Sequence, residues 1–406
     1  MRTLNKVVLF SKEYPPDVYG GAGVHVEYLS RALARRMEVE VRCFGEQEIT
    51  AGNPVVHGYP EWRPAKEHTD PRFAGAVDAF ARSLAMAKDR LDADIVHCHT
   101  WYTDMGGVLA SKLWNAPYVL TIHSLEPLRP WKAEQLGNAY HLSAWMERIA
   151  IEGADAIIAV SRKTREDVLR LFDVKRERVH VIHNGIDPTE YRPVEGRDAL
   201  IRYGVDPERP FLLFVGRITR QEGIMYLVNA IPAIDPTLQI VLCAGAPDTP
   251  EIAREMEDGV ARVAAQRPAV IWVRGMMSRP DLIQLYTHAA VFCCPSVYEP
   301  FGIINLEAMA CETGVVASAV GGIPEVVVPG ETGFLVDPHL QRGTFNPADP
   351  AAFSAGLADA INRLARAPEL RQRFGINGRK RAVAHFNWDA IAQRTIELYR
   401  SLVELR

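Results

Sequence analysis

The chain has 406 residues, 48% of them hydrophobic and 24% charged, with a formal net charge of −4; this is too long for one ordinary core and predicts two soluble domains of similar size. The mildly acidic balance excludes nucleic acid as the expected partner. No run of about 18 apolar residues occurs, so no membrane span is predicted.

Val7 to Phe10 reads as a first strand and is too short for the apolar region of a signal peptide. Ser11 to Gly23 reads as a Pro- and Gly-rich loop, and Val24 to Arg36 has helical spacing. Short apolar runs follow at Val39 to Phe44, Asp94 to His99, Tyr118 to Ile122, Ala156 to Val160 and Val179 to Ile182, each separated by a helix-length segment. That alternation predicts a parallel sheet with helices on both faces. His183-Asn184-Gly185-Ile186-Asp187-Pro188 interrupts it. A second series then runs through Phe211 to Val215, Gln239 to Cys243, Val270 to Val273, Val291 to Cys294 and Gly314 to Ser318. The fold class is therefore α/β, with two doubly wound Rossmann-like domains facing a central cleft. The expected division is residues 1–190, an acceptor-side domain, and 191–385, a donor-binding domain, with 386–406 a helix crossing back onto the first. The six cysteines, Cys43, Cys98, Cys243, Cys293, Cys294 and Cys311, lie mostly in apolar runs without metal-ligand spacing, which fits reduced thiols and a cytoplasmic location.

Six stretches are candidates for carrying chemistry. Tyr298-Glu299-Pro300-Phe301-Gly302-Ile303-Ile304-Asn305-Leu306-Glu307 follows a buried strand, with a turn at Pro300 and Gly302 and a helix from Ile303 whose first amides can hold an anion. Glu299 and Glu307, eight positions apart, can both reach a ligand at that helix end, and phosphate on amides with hydroxyls on carboxylates suits a nucleotide sugar. An exposed helix face is the plainer alternative. Gly20-Gly21-Ala22-Gly23 lets backbone approach a phosphate or sugar, or is simply a flexible loop; it lacks the third glycine and the tight turn of a dinucleotide fingerprint, which disfavours a nicotinamide-dependent dehydrogenase. Arg217, just after the first strand of the second series, can neutralise a departing diphosphate. Gly321-Gly322-Ile323-Pro324-Glu325 is expected to add flexible backbone to the same rim. His97 and His99 share one face of a strand. A metal pair is conceivable there, but no third ligand follows at suitable spacing, so ordinary strand-end histidines are preferred and no metal is expected. His123 also follows a strand and points towards the expected cleft, with a functional or a structural role equally open.

Together these stretches resemble the retaining nucleotide-sugar glycosyltransferases of family 4, which have the GT-B architecture; the likeness runs nearly end to end. The strings from Tyr14 to Val26, His99 to Thr103 and His123 to Lys132 are similar to the short bacterial glycogen synthases, some of which make α-maltose 1-phosphate. The resemblance implies that Glu307 holds the ribose hydroxyls, Glu299 the transferred sugar, with His123 near the glucose. It also implies that Gly21 brings its backbone to the distal phosphate, that Gly23 and the helix start at Gly302, Ile303 and Ile304 complete the donor site, and that Arg217 stabilises the leaving diphosphate. His123, Arg217 and Glu299 are thus the expected catalytic residues. No cofactor or metal is required.

The family places a lysine five residues after the arginine, where this chain has Glu222. An anion there removes one contact to the diphosphate and adds repulsion, a loss on the order of a hundredfold in rate. The leading expectation is a cytoplasmic glycogen synthase of carbohydrate metabolism, moving glucose from ADP-glucose to the non-reducing end of an α-1,4-glucan. Two alternatives stand beside it: an α-maltose-1-phosphate synthase that uses glucose 1-phosphate as acceptor, and a glucan-binding homologue impaired by Glu222.

Overall fold

Val7, Val8, Leu9 and Phe10 are all wholly buried, as expected of a strand covered by helices on both faces rather than one that alternates between core and water. The structure, a computed structural model, describes residues 3–275 and 277–405. It divides into two compact units, residues 1–185 with 388–406, and residues 186–387.

The first unit is built on β1 (Lys6–Ser11), β2 (Glu38–Phe44), β3 (Glu48–Ile49), β4 (Val55–Tyr59), β5 (Ile95–His99), β6 (Tyr118–Ile122), β7 (Ala156–Ala159) and β8 (Val179–Val181). Their order across the sheet is β3-β4-β2-β1-β5-β6-β7-β8. All neighbours are parallel except β3 and β4. Two of these strands escape a reading by apolar runs. β4 has only two leading valines before His57 and Gly58, and β3 is two exposed residues.

The first helix spans Gly21–Ala34 and so begins three residues before the expected Val24. Its early start has a local cause. The Glu13 carboxylate accepts from the amides of Tyr19 and Gly20 at 2.8 Å each, and a Cβ at Gly23 would lie 2.7 Å from that carboxylate. Gly23 is helical because its missing side chain leaves room for Glu13.

The Trp388–Glu404 helix completes the first unit by packing on Gly21–Ala34. Trp388 stacks on Tyr28 with centroids 6.0 Å apart, Asp389 pairs with Arg35 and Arg36 at 2.8 and 3.1 Å, and Tyr399 reaches His97 at 2.6 Å.

The second unit contains β9 (Phe211–Arg217), β10 (Gln239–Gly245), β11 (Val270–Val273), β12 (Val291–Cys294), β13 (Val315–Ser318) and β14 (Gly333–Val336). They form one parallel sheet in the order β11-β10-β9-β12-β13-β14. β14 is the strand that the apolar pattern misses, because its four residues begin with glycine and are mostly half-buried. Phe214, Leu227, Leu242, Phe353 and Ile361 belong to one apolar cluster beneath this sheet. All six cysteines are unbridged and buried. Among the described residues no helix is long and apolar enough to cross a membrane.

Candidate functional site

In an open parallel sheet the chain leaves opposite ways from two neighbouring strands at one point, and the loops diverging there open a crevice at the strands' carboxyl ends. In the second unit that point lies between β9 and β12. Arg217 is the last residue of β9, and Glu299 lies in the loop that follows β12. In the first unit it lies between β1 and β5. There β1 leads to Gly21 at its helix start, His99 ends β5, and His123 directly follows β6.

In the second unit, two backbone contacts tie the crossing loops together. Val297 donates its amide to the Gln221 carbonyl at 2.9 Å. Gly223 has a φ of +64°, and a Cβ there would strike the Pro295 carbonyl, so only glycine lets the loop after β9 lie this close to the end of β12. The result is a charged cluster. Nη2 of Arg217 stands 3.5 Å from Oε1 of Glu222, whose own amide donates to the Thr219 hydroxyl at 3.2 Å. Burial pushes the Glu222 carboxyl above the ordinary range, opposed by Arg217 and assisted by Asp248. Burial also pushes Glu299 up to about 8, and the nearby Glu222 charge adds to the shift. The arrangement places the Glu222 carboxyl beside the guanidinium that any anion approaching Arg217 would need.

Glu299 also has a structural part. Its Oε1 accepts from the Phe301 amide at 3.3 Å, so it also braces the turn that leads to the helix Ile303–Ala310. Gly302 precedes that helix with a φ of +100°, which explains the glycine there. Gly321 and Gly322 prove to be packing residues and not the flexible rim expected of them. A Cβ at Gly321 would collide with the Glu299 carbonyl, one at Gly322 with the Pro300 carbonyl, and the Gly322 amide donates to the Glu299 carbonyl at 2.9 Å. Their smallness holds the Glu299 turn in place.

Glu307 is buried one turn into the helix. Its Oε1 accepts from the Tyr191 hydroxyl at 3.0 Å and its Oε2 from the Tyr286 hydroxyl at 2.9 Å. Burial raises its carboxyl, and the two hydroxyls pull the other way. Each carboxylate oxygen retains acceptor capacity, so the pair of tyrosines orients the group without saturating it. Neither tyrosine is signalled by the sequence. Asn305, wholly buried, has both side-chain polar atoms without a protein partner, and is a further polar group in this helix that the spacing of the glutamates conceals.

In the first unit, imidazoles gather instead of charges. His97 and His99 do share a face, with ring centroids 4.2 Å apart. His25 and His123 join them, at 5.3 and 5.5 Å from His99. His97 is occupied at both nitrogens, by Tyr399 and by Thr121 at 2.7 Å. Burial lowers His25 to about 4 and holds His97, His99 and His123 well below the ordinary imidazole range. The cluster is therefore neutral at pH 7. Thr100, next to His99, adopts a φ of +71°, a conformation that costs a side-chain-bearing residue about 1–3 kcal/mol and gathers at functional sites. Gly21 and Gly23 lie in the first turn of a helix that no side chain caps.

Residues 19–190 match the family described as Glycosyltransferase Family 4, and residues 200–381 match Glycosyl transferases group 1. The chain is 48% identical over 401 residues to the α-maltose-1-phosphate synthase of Mycolicibacterium smegmatis, covering 98% of this chain and 99% of that protein. It is 45% identical over 404 residues to the protein of that name from Mycobacterium tuberculosis, again covering 98% and 99%. Among solved structures, the sucrose-phosphate synthase of Thermosynechococcus elongatus superposes with a TM-score of 0.79 at 27% identity, covering 99% of this chain and 100% of that one. These relatives correct the leading expectation of a glycogen synthase, since near-full-length identity falls on proteins named for α-maltose 1-phosphate. With both halves matched and the fold shared, the chain belongs to glycosyltransferase family 4, has the GT-B fold, and is a nucleotide-sugar-dependent hexosyltransferase.

Proposed function

We propose that the protein transfers glucose from ADP-glucose to glucose 1-phosphate and releases α-maltose 1-phosphate and ADP. The observation that carries this reading is the 48% identity to an α-maltose-1-phosphate synthase across 98% of the chain. In the transfer, the bond from the anomeric carbon to the diphosphate breaks and a bond to an acceptor hydroxyl oxygen forms on the same face. The hydroxyl proton leaves with the diphosphate, and configuration is retained.

Arg217 takes the charge that grows on the diphosphate, where a preorganised guanidinium contributes most. Glu307, held by its two tyrosines, takes the ribose hydroxyls. Glu299 takes the transferred glucose, beside the amides of Gly302, Ile303 and Ile304. In the first unit, Gly21 and Gly23 are assigned to the distal phosphate and His123 to the glucose. A neutral imidazole suits a sugar hydroxyl because it both donates and accepts.

Purified protein incubated with ADP-glucose or UDP-glucose, each with glucose 1-phosphate and with glycogen, tests the reading. Maltose 1-phosphate is expected from ADP-glucose and glucose 1-phosphate. Extension of glycogen with glucose 1-phosphate left unconsumed would sink it.

A further inference from the structure

We infer that Arg129 binds the phosphate of the acceptor and so selects glucose 1-phosphate over unphosphorylated sugars and glucans. The inference rests on the acceptor proposed above. α-Maltose 1-phosphate joins its two glucoses through O4 of the acceptor ring, and the phosphate hangs from C1 on the opposite side of that ring. A phosphate monoester carries about two negative charges near neutral pH. Arg217 is already committed to the donor's diphosphate, so a second cation is needed, set back from the reacting carbon.

Arg129 stands where such a cation belongs. It closes the short turn Glu126–Leu128 in the loop after β6, six residues beyond His123, the residue assigned to the glucose. That turn is fixed by its neighbours. The Glu126 amide donates to the two Glu147 carboxylate oxygens at 3.2 and 3.0 Å. The Glu126 carbonyl accepts from the Tyr140 hydroxyl at 2.8 Å and from the Arg129 amide at 3.0 Å, and the Glu126 carboxylate accepts from the Ser143 hydroxyl at 3.0 Å. The backbone that carries Arg129 is thus ordered before any ligand arrives, which lowers the cost of binding one.

The Arg129 side chain is held but not satisfied. It is 15% exposed, yet its Nη1 meets Oε1 of Glu126 only at 3.5 Å, long beside the roughly 2.7–2.9 Å of a charge-assisted bond. Among the described residues Glu126 is its only side-chain partner, and its Nε is buried with none. A guanidinium has five N–H donors and no acceptor, so a withdrawn one with a single loose partner has donors to spare. Phosphate oxygens match that fork. Lys12, directly after β1, is the rival cation at the same end of the sheet. Its ammonium stands 4.0 Å from the centre of the Tyr102 ring, whose face already attracts it, and a point charge lacks the paired geometry of the fork.

Kinetics with ADP-glucose fixed and glucose 1-phosphate varied test the inference. Arg129→Gln is expected to raise the KM for glucose 1-phosphate by about ten- to a hundredfold, as loss of a charge-assisted contact does, with the KM for ADP-glucose and the circular dichroism unchanged. Arg129→Lys, which keeps the charge, is expected to recover part of the loss, and Lys12→Gln to keep the native value. By calorimetry the native protein is expected to bind glucose 1-phosphate more tightly than glucose, a preference that Arg129→Gln loses. A crystal of the native protein with glucose 1-phosphate depends on no variant, and is expected to place phosphate oxygens about 3 Å from the Arg129 guanidinium. A native KM in Arg129→Gln, or a phosphate seated on Lys12 instead, would overturn the inference and leave the proposed reaction standing. Native protein that extends glycogen and leaves glucose 1-phosphate unconsumed would defeat the reaction and the inference together.

Discussion

The two units place their chemistry at the same topological point, the carboxyl ends of strands beside a reversal of direction, yet fill it in opposite ways. The first unit uses imidazoles that burial keeps neutral, each tied to neighbours by hydrogen bonds. The second gathers Arg217, Glu222 and Glu299, whose charges depend on one another. One topology thus supports a site that resists titration near neutrality and another that titrates there. The difference arises entirely from the side chains set on the strand ends.

The titrating side yields the largest expected effect. Glu299 is pushed from an ordinary 4.5 to about 8. Below pH 4.5 it is protonated whether the chain is folded or not; between pH 4.5 and 8 the unfolded chain gives up the proton while the fold retains it. Stability of the second unit therefore falls as pH rises through that window, by up to about 1.4 kcal/mol per unit. Glu299→Gln is expected to lessen this slope in urea unfolding measured from pH 5 to 8, leaving the part owed to the raised carboxyls of Glu222 and Glu307, and an unchanged slope would contradict the assignment.

Next in size is Glu222→Lys. It removes the carboxylate beside Arg217 and supplies a second cation for a diphosphate, so kcat with ADP-glucose is expected to rise about a hundredfold. Equal turnover in both proteins would mean that Arg217 escapes Glu222 when the donor binds. The smallest effect sharpens the neutral side of the comparison. Tyr399→Phe leaves Nδ1 of the buried His97 unpaired, and is expected to destabilise the first unit by about 1–3 kcal/mol with donor KM in the second unit unmoved. A loss below the resolution of urea unfolding would mean that the ring finds another partner.

The strands that organise both units were legible as apolar runs, because a strand buried on both faces has no polar alternation to hide it. β4 and β14 were not, since Gly58 and Gly333 dilute short runs that the sheet nonetheless pairs. Glu222 was visible as a departure from a family pattern; its contact with Arg217 was not, because it depends on how tightly Gly223 lets a loop turn. The partners of Glu307 lie 116 and 21 residues away, and neither distance has a periodic signature. The histidine cluster was half-read for the same reason. His97 and His99 were seen as neighbours on a strand, whereas His25 and His123 reach them only through the fold.

The helix Trp388–Glu404 has a consequence for synthesis. His97 and the tyrosine hydroxyl that pairs with it are 302 residues apart in the chain. At about 5–20 residues per second that gap is roughly 15–60 s of translation. The second unit, contiguous from 186 to 387, emerges whole within that interval. The first must wait with the ground beneath its imidazoles open until the last helix arrives. The half of the molecule made first is the half finished last, and a nascent chain stalled before Trp388 would present the exposed surface that chaperones and proteases recognise.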